Sequence, residues 1–207
     1  MDAVTICNMA LGLLGDLTKI KRMTTMERTG LTHDVHHVAV DFYEVAQREM
    51  HAMMDWPRTR KVAELTVSAD APVLDGKWTY KYVRPADAFL FRKMLDTSGN
   101  TYEFDQVNEI GSDGRNTEYI YANLADAIGW WTILIGEERY MPGMEILHSM
   151  ILAQKLAMTV TAKPAVRMAF VEELKKDTRN YCMSLASQEG YVLNEHGDEK
   201  TLLVDCY

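Results

Sequence analysis

The first residues of the chain have apolar side chains at the spacing of a helix. From residue 3 to residue 14 apolar side chains recur every three or four positions, with Asp2 placed to cap the first turn and Gly15 to end the helix. A longer amphipathic segment follows over residues 35–53, and Pro57 disfavours helical geometry at the residue before it. The pattern predicts two helices joined by a polar connection.

Helical spacing returns in the last third of the chain. Residues 144–160 are apolar on most sides, which predicts a helix buried in a core or in a contact between subunits. Pro164 suits the first turn of a further helix, because its missing N–H is not needed there, and Gly190 suits its end. We expect residues 191–207 to form a short extended tail.

The middle of the chain changes to the alternating period of strands. Apolar and polar residues alternate over residues 77–83, and further strand-like runs cover residues 89–95, 101–107 and 118–123. Turn-forming residues separate these runs. We expect a small antiparallel sheet at this point.

These elements together predict an α+β fold, in which a helical bundle from the N- and C-terminal segments carries a small antiparallel β insertion. The expected organisation is a single compact domain. Its parts are N-terminal helices (1–60), a β insertion (61–125), C-terminal helices (126–190) and the tail (191–207).

Composition narrows the classes of function. The formal net charge is −8, and an acidic chain does not neutralise phosphates, so tight nucleic-acid binding is disfavoured. The three cysteines, Cys7, Cys182 and Cys206, are far apart and form no CxxC, which indicates reduced thiols rather than a zinc cluster or a disulfide framework. No apolar run reaches the roughly 20 residues of a membrane-spanning helix, so no contact with a membrane is expected.

Four short motifs resemble a known family. Residues 6–15 (ICNMALGLLG) resemble the "CNxALxxxG" start of the phage tail tubular protein A family, and residues 45–57 resemble its "ARxxxLxxxxWxF" segment. Residues 80–87 (YKYVRPAD) are similar to its "YxYxLPxD" motif, and residues 119–123 to its "LxYIxxV" strand. The likeness extends from Ile6 to about Gly190.

The resemblance implies a structural role in short-tailed bacteriophages. Proteins of this family are head–tail adaptors that form a dodecameric ring, bind the portal protein on one side and receive the tail nozzle, a tail tubular protein B-like partner, on the other. It implies a virion protein at the head–tail junction, made in the host cytoplasm, around a passage through which genome DNA moves without specific binding. It implies neither an enzyme nor a catalytic residue, metal or cofactor.

Candidate contact residues follow from exposed aromatic and apolar patterns. Tryptophan is enriched at the energetic centres of interfaces, and the helix at 144–160 has little polar surface. We therefore expect contacts between subunits at four residues: Trp130, Trp131, Met144 and Leu147. A buried hinge between the sheet and the helix at 144–160 is an equal alternative for the two tryptophans. For docking of a partner we expect three residues of the tail: Tyr191, Leu202 and Leu203.

One alternative is a metal-dependent enzyme. His33, His36 and His37 lie three and four positions apart, so on a helix their imidazoles share one face and suit a zinc ion. No HExxH motif accompanies them, and a polar surface at a helix start explains the same residues.

Another alternative is a small nucleic-acid-binding module. The expected sheet is rich in aromatic side chains, on which single-stranded bases stack. Its basic residues are Lys77, Lys81 and Arg84, and the same aromatic residues suit a core or a contact between subunits.

Overall fold

A computed structural model describes residues 2–15, 34–73, 76–110, 116–160 and 164–188. It divides the chain into a helical unit, formed by Met1–Met54 with Ile135–Tyr207, and a β unit, Asp55–Leu134. Within the described residues the helices are α1 (Ala3–Leu13), α2 (Asp34–Met53), α3 (Met144–Val160) and α4 (Pro164–Gln188). The strands are β1 (Arg60–Glu64), β2 (Tyr80–Val83), β3 (Leu90–Leu95), β4 (Thr101–Tyr102), β5 (Phe104–Ile110), β6 (Asn116–Ala122) and β7 (Ile128–Thr132).

The ends of α1 confirm the sequence prediction. The Asp2 carboxylate accepts a hydrogen bond from the backbone N–H of Thr5 at 2.9 Å, which satisfies one of the free donors of the first turn. After the helix, Gly15 adopts a φ of +75°, a conformation that costs glycine little. These two residues therefore set the length of α1.

Helix α3 forms the centre of the helical unit. It packs against α1, α2 and α4, so the helices from the two chain ends share one core. Its buried side chains explain the nearly continuous apolar pattern: Met144, Leu147, Ile151, Leu152, Ala153, Leu156 and Ala157. Among the described helices, none combines the length and the apolarity that crossing a membrane requires.

Two antiparallel sheets build the β unit. Sheet A has the strand order β1-β7-β3-β4, and sheet B has the order β2-β6-β5. The core between them contains Phe91, Met94 and Trp131 from sheet A and Tyr82 and Ile120 from sheet B. The β unit thus has a hydrophobic core of its own.

The predicted fold class was wrong. The chain is a sheet-rich α+β protein with seven described strands in two sheets, rather than a helical bundle with a small β insertion. The sequence reading missed β1 and β7, which pair with each other over residues 60–64 and 128–132. With them, sheet A extends to four strands.

Each missed strand has a physical reason. β1 is an edge strand whose side chains are mostly exposed, so it lacks the apolar alternation that marks a half-buried strand. β7 contains Gly129, and glycine usually argues against a strand interior. A Cβ at Gly129 would lie 2.6 Å from Leu65 Cδ2 and 2.9 Å from Phe91 Cε2, so the glycine is needed for close packing.

Candidate functional site

The predicted contact residues fall into three groups. Trp131, Met144 and Leu147 are buried within the chain. Trp130 is half-buried and has exposed surface. Tyr191, Leu202 and Leu203 lie outside the described residues. Among the described candidates, Trp130 alone has appreciable exposed surface for a contact.

Strand alternation separates the two adjacent tryptophans. The Trp131 side chain enters the β core, and its indole N–H donates to Asp87 Oδ1 at 3.1 Å. Asp87 also accepts a hydrogen bond from Lys61, and these interactions hold the pKa of Asp87 below its usual value. Trp130, the preceding residue on β7, faces the opposite side of sheet A.

The surface around Trp130 combines an aromatic ring with cations. The Arg60 guanidinium lies 4.3 Å from the ring centroid, and the Lys93 ammonium lies 5.2 Å from it. Val62 on β1 and Lys93 on β3 are the cross-strand neighbours of Trp130, and Val62 is 50% exposed. We call the four residues Arg60, Val62, Lys93 and Trp130 the Trp130 face.

The Trp130 face has the chemistry of a protein contact. Cations stacked on an indole ring contribute about 0.5–1 kcal/mol each at exposed sites, so they hold the ring in one orientation. Arg60 is anchored by Asp55, with Nη2 3.0 Å from Oδ2, whereas Lys93 has no ion pair within the described residues. The face therefore offers an aromatic ring flanked by two cations, an exposed valine, and a lysine ammonium without an ion pair among the described residues.

Sheet B uses its basic residues internally. Lys77 pairs with Asp105 at 2.7 Å, Lys81 with Glu109 at 2.7 Å, and Arg84 with Glu118. These are the three cations on which the nucleic-acid alternative depends. Because each has a carboxylate partner, few positive charges are left for phosphate.

The pair of Lys81 and Glu109 is buried. The Lys81 side chain is 3% exposed, and its ammonium also lies 3.9 Å from the Tyr119 ring centroid. Burial opposes the charge of Lys81, but the hydrogen bond and charge of Glu109 outweigh it and raise the pKa of Lys81. Glu109 also accepts from the Tyr121 hydroxyl, which in turn accepts from the backbone N–H of Val73 at 3.1 Å. This network connects β2, β5 and β6 with Val73, which lies in the segment between β1 and β2.

A second polar network lies inside the helical unit. His148 on α3 bonds through Nε2 to the Tyr43 carbonyl and through Nδ1 to the Tyr140 hydroxyl, both at 3.1 Å. A carbonyl only accepts, so Nε2 carries the proton and Nδ1 accepts from Tyr140. Gln47 donates to the same tyrosine oxygen at 3.1 Å, and Tyr43 donates to Glu137. The network joins α2, α3 and the segment 135–140.

His51 completes this network with the opposite tautomer. The backbone N–H of Ile135 donates to His51 Nε2 at 3.3 Å, and His51 Nδ1 lies 2.7 Å from the Gln47 carbonyl, so the proton is on Nδ1. Both histidines are fully buried and neutral. Burial lowers the pKa of His51 and lowers that of His148 to about 4. Burial also raises the pKa of Tyr43 and of Tyr140.

The two networks were not predicted from the sequence, because their residues lie too far apart in the chain to form a recognisable pattern. His148 and Tyr43 are 105 positions apart, and Lys81 and Glu109 are 28 apart. The available signal was weaker: a histidine in the otherwise apolar helix at 144–160 and a lysine between two tyrosines. Each marks a buried polar group, but neither identifies its partner.

The predicted histidine cluster lies mostly outside the described part of the chain. His33 is outside it, and the side chain of His36 is not described. Within the described residues, no group of three or more His, Cys, Asp or Glu side chains is arranged to hold a metal ion. The metal alternative gains no support from the described residues.

No protein-family model matches the chain, and no curated protein matches it.

Proposed function

We propose that the chain is a structural virion protein, a head–tail adaptor similar to the tail tubular protein A family. Its copies form a ring between the portal and the tail nozzle of a short-tailed bacteriophage. The observation that carries this proposal is the order of four motifs along the chain, at residues 6–15, 45–57, 80–87 and 119–123. Each motif is short, but their shared order over most of the chain is more specific than any one alone.

Residues of these motifs have structural roles, which supports the proposal. Leu11 in the first motif, Trp56 in the second and Tyr82 in the third are buried. Asp87 in the third motif accepts the indole N–H of Trp131. The resemblance therefore depends on residues that build the two units of this chain.

The charge distribution suits a DNA passage. An acidic subunit repels phosphate, and the cations of sheet B are already paired with carboxylates. DNA would then pass the ring without being held. The buried titratable groups, His51, His148 and Lys81, hold elements of the fold together through hydrogen bonds within the chain.

Mixing the purified chain with the portal protein of the same phage tests the proposal. We expect a complex that contains the portal and a ring of chain copies, twelve by family resemblance, observed by native mass spectrometry and electron microscopy. Peptide mass spectrometry of purified virions should detect the chain. A chain that stays separate from its portal, or that is missing from virions, would contradict the adaptor role.

We expect Trp130→Ser to weaken ring assembly by about tenfold or more, because truncating a tryptophan at the centre of an interface typically costs 2 kcal/mol or more. The measurement is the chain concentration at which half of the portal carries a ring. The matched control is Trp78→Ser: Trp78 is also half-buried and has Lys77 4.6 Å from its ring centroid, but it lies outside the Trp130 face. Equal effects of the two substitutions would remove Trp130 from the contact.

A further inference from the structure

The edges of the two sheets differ in how they are covered. The edge at β2 is closed by the segment Thr66–Ser68, because Ser68 N–H donates to the Lys81 carbonyl at 2.7 Å and Val83 N–H donates to the Thr66 carbonyl at 2.9 Å. The edge at β4 is two residues long. Within the described residues β1 and β5 pair on one side only, and they have five and seven residues. Among the described residues, these two long edges are therefore open.

The hydrogen bonds flanking β1 show which of its backbone groups are free. Ile133 N–H donates to the Thr59 carbonyl, and Leu65 N–H donates to the Ala127 carbonyl. Bonded pairs alternate along an antiparallel ladder, so Lys61 and Ala63 bond to β7. The backbone groups of Arg60, Val62 and Glu64 then point to the open edge.

The same alternation applies to β5. Lys81 and Val83 bond to the covering segment, so Tyr80 and Tyr82 bond to Ala122 and Ile120 on β6. The intervening residues of β6 face β5, where their partners are Asp105, Val107 and Glu109. The free backbone groups therefore belong to the other four residues of β5: Phe104, Gln106, Asn108 and Ile110. The last three are exposed, and Ile110 is 77% exposed.

The two open edges lie on opposite sides of the β unit. β1 continues into the segment Thr66–Ser68 that covers β2, so β1 and β2 share one side. β4 continues directly into β5 on the other side, where Phe104 of β5 packs on Phe91 with ring centroids 5.0 Å apart. Opposite edges suit a head-to-tail contact between copies, which generates rings or open chains.

The two edges differ in the sign of their charge along the sequence. Residues 58–64 carry three cations and one carboxylate, Arg58, Arg60, Lys61 and Glu64, whereas the stretch 103–109 carries three carboxylates and no cation. Charged residues often protect an edge strand from pairing with another chain. That protection is weakened at both edges, because Asp105 and Glu109 are paired with lysines of the same chain, and Arg60 and Lys61 are paired with Asp55 and Asp87.

We propose that copies of this chain associate head to tail by strand pairing, with β1 of one copy added to the β5 edge of the next. The proposal extends the proposed function. It rests on that function for the choice of a second copy of this chain, rather than another protein, as the source of the added strand. It supplies the contact by which a ring would form. Strand addition provides several backbone hydrogen bonds at once, and the Trp130 face lies beside the β1 edge.

Two proline substitutions block one edge each. Val62→Pro and Gln106→Pro remove an outward N–H and place a ring in the path of an added strand, while the bonds to β7 and β6 remain. Each is expected to weaken self-association by about tenfold or more. The matched control, Thr101→Pro on the β4 edge, should change it by less than about threefold. Light scattering after size-exclusion chromatography of the full chain, over a range of concentrations, gives the association constant.

Mixing the two blocked variants gives the sharpest result. A Val62→Pro copy retains its β5 edge and a Gln106→Pro copy retains its β1 edge, so the mixture should form heterodimers and stop there. The double variant should stay monomeric. Far-UV circular dichroism and tryptophan fluorescence establish whether each variant is folded. Glu64→Pro replaces Val62→Pro on β1, and Asn108→Pro replaces Gln106→Pro on β5, if the first variant does not fold.

Several outcomes would overturn the strand pairing. These are a wild-type chain that is monomeric at every concentration, a mixture without heterodimers, or a loss of association with Gln106→Pro alone, which would indicate β5 pairing with β5. Rings on the portal that survive both substitutions would overturn the pairing and leave the adaptor role intact. Strand-paired copies that ignore the portal would support the pairing and contradict the adaptor role.

Discussion

Replacing Lys81 with methionine is expected to lower the free energy of unfolding of the β unit by about 3 kcal/mol. The substitution leaves the Glu109 carboxylate, whose side chain is 18% exposed, without its cation in a buried setting. Removing one partner of a buried ion pair typically costs 3–5 kcal/mol, and the partial exposure of Glu109 favours the lower end. Removing both charges in the double variant Lys81→Met with Glu109→Gln should recover part of this loss.

The neighbouring pair provides a matched control. Lys77 and Asp105 are separated by the same 2.7 Å, but their side chains are 63% and 43% exposed. Lys77→Met should therefore change stability by only about 0–1 kcal/mol. All four tryptophans lie between Asp55 and Leu134, so their fluorescence during urea unfolding reports on the β unit. Equal losses for the two lysines would show that burial does not decide the strength of these pairs.

The helical unit is expected to lose stability as the pH falls from about 6.5 to about 4. His148 is neutral in the folded chain, with a pKa of about 4, against about 6.5 when unfolded. Below pH 6.5 the unfolded state takes up a proton that the folded state does not, so stability is complete above that pH and decreases below it. The loss is about 1.4 kcal/mol per pH unit, on the order of 3 kcal/mol for His148 across the window. The lowered pKa of His51 adds to it in the same direction.

The variant His148→Gln tests this assignment. A glutamine amide can still donate to the Tyr43 carbonyl and accept from the Tyr140 hydroxyl, but it does not titrate. The pH dependence between 6.5 and 4 should decrease by about one proton, and adding His51→Gln should decrease it further. All described α-helices belong to the helical unit, so urea unfolding followed by circular dichroism at 222 nm reports on it. An unchanged slope in the variant would show that other groups cause the acid sensitivity.

The sequence predicted the helices well because their signals are local. Asp2 caps α1 as predicted. Helix α3 begins at Met144 and α4 begins at Pro164, which are the predicted positions. The strands at β2, β3 and β6 also followed from alternation and turn residues. Local periodicity therefore located most elements.

The sequence predicted less of what depends on tertiary packing. β1 is charged because it lies at an edge, and Gly129 occurs in β7 because Leu65 and Phe91 approach its backbone. Trp130 and Trp131 looked equivalent as adjacent aromatic residues, but strand alternation places only Trp131 in the core. The partners of Lys81 and His148 come from distant parts of the chain, so no local pattern indicates them.

The segment Thr66–Ser68, which closes the edge at β2, limits how many neighbours each copy can bind by strand pairing. Without it the β unit would have a third extended edge, and three docking edges per copy permit branched networks that precipitate. With it, strand addition has a valence of two, so growth is confined to closed circles or unbranched filaments. Under the proposed strand pairing, these three residues of backbone pairing therefore exclude branched assembly through β2.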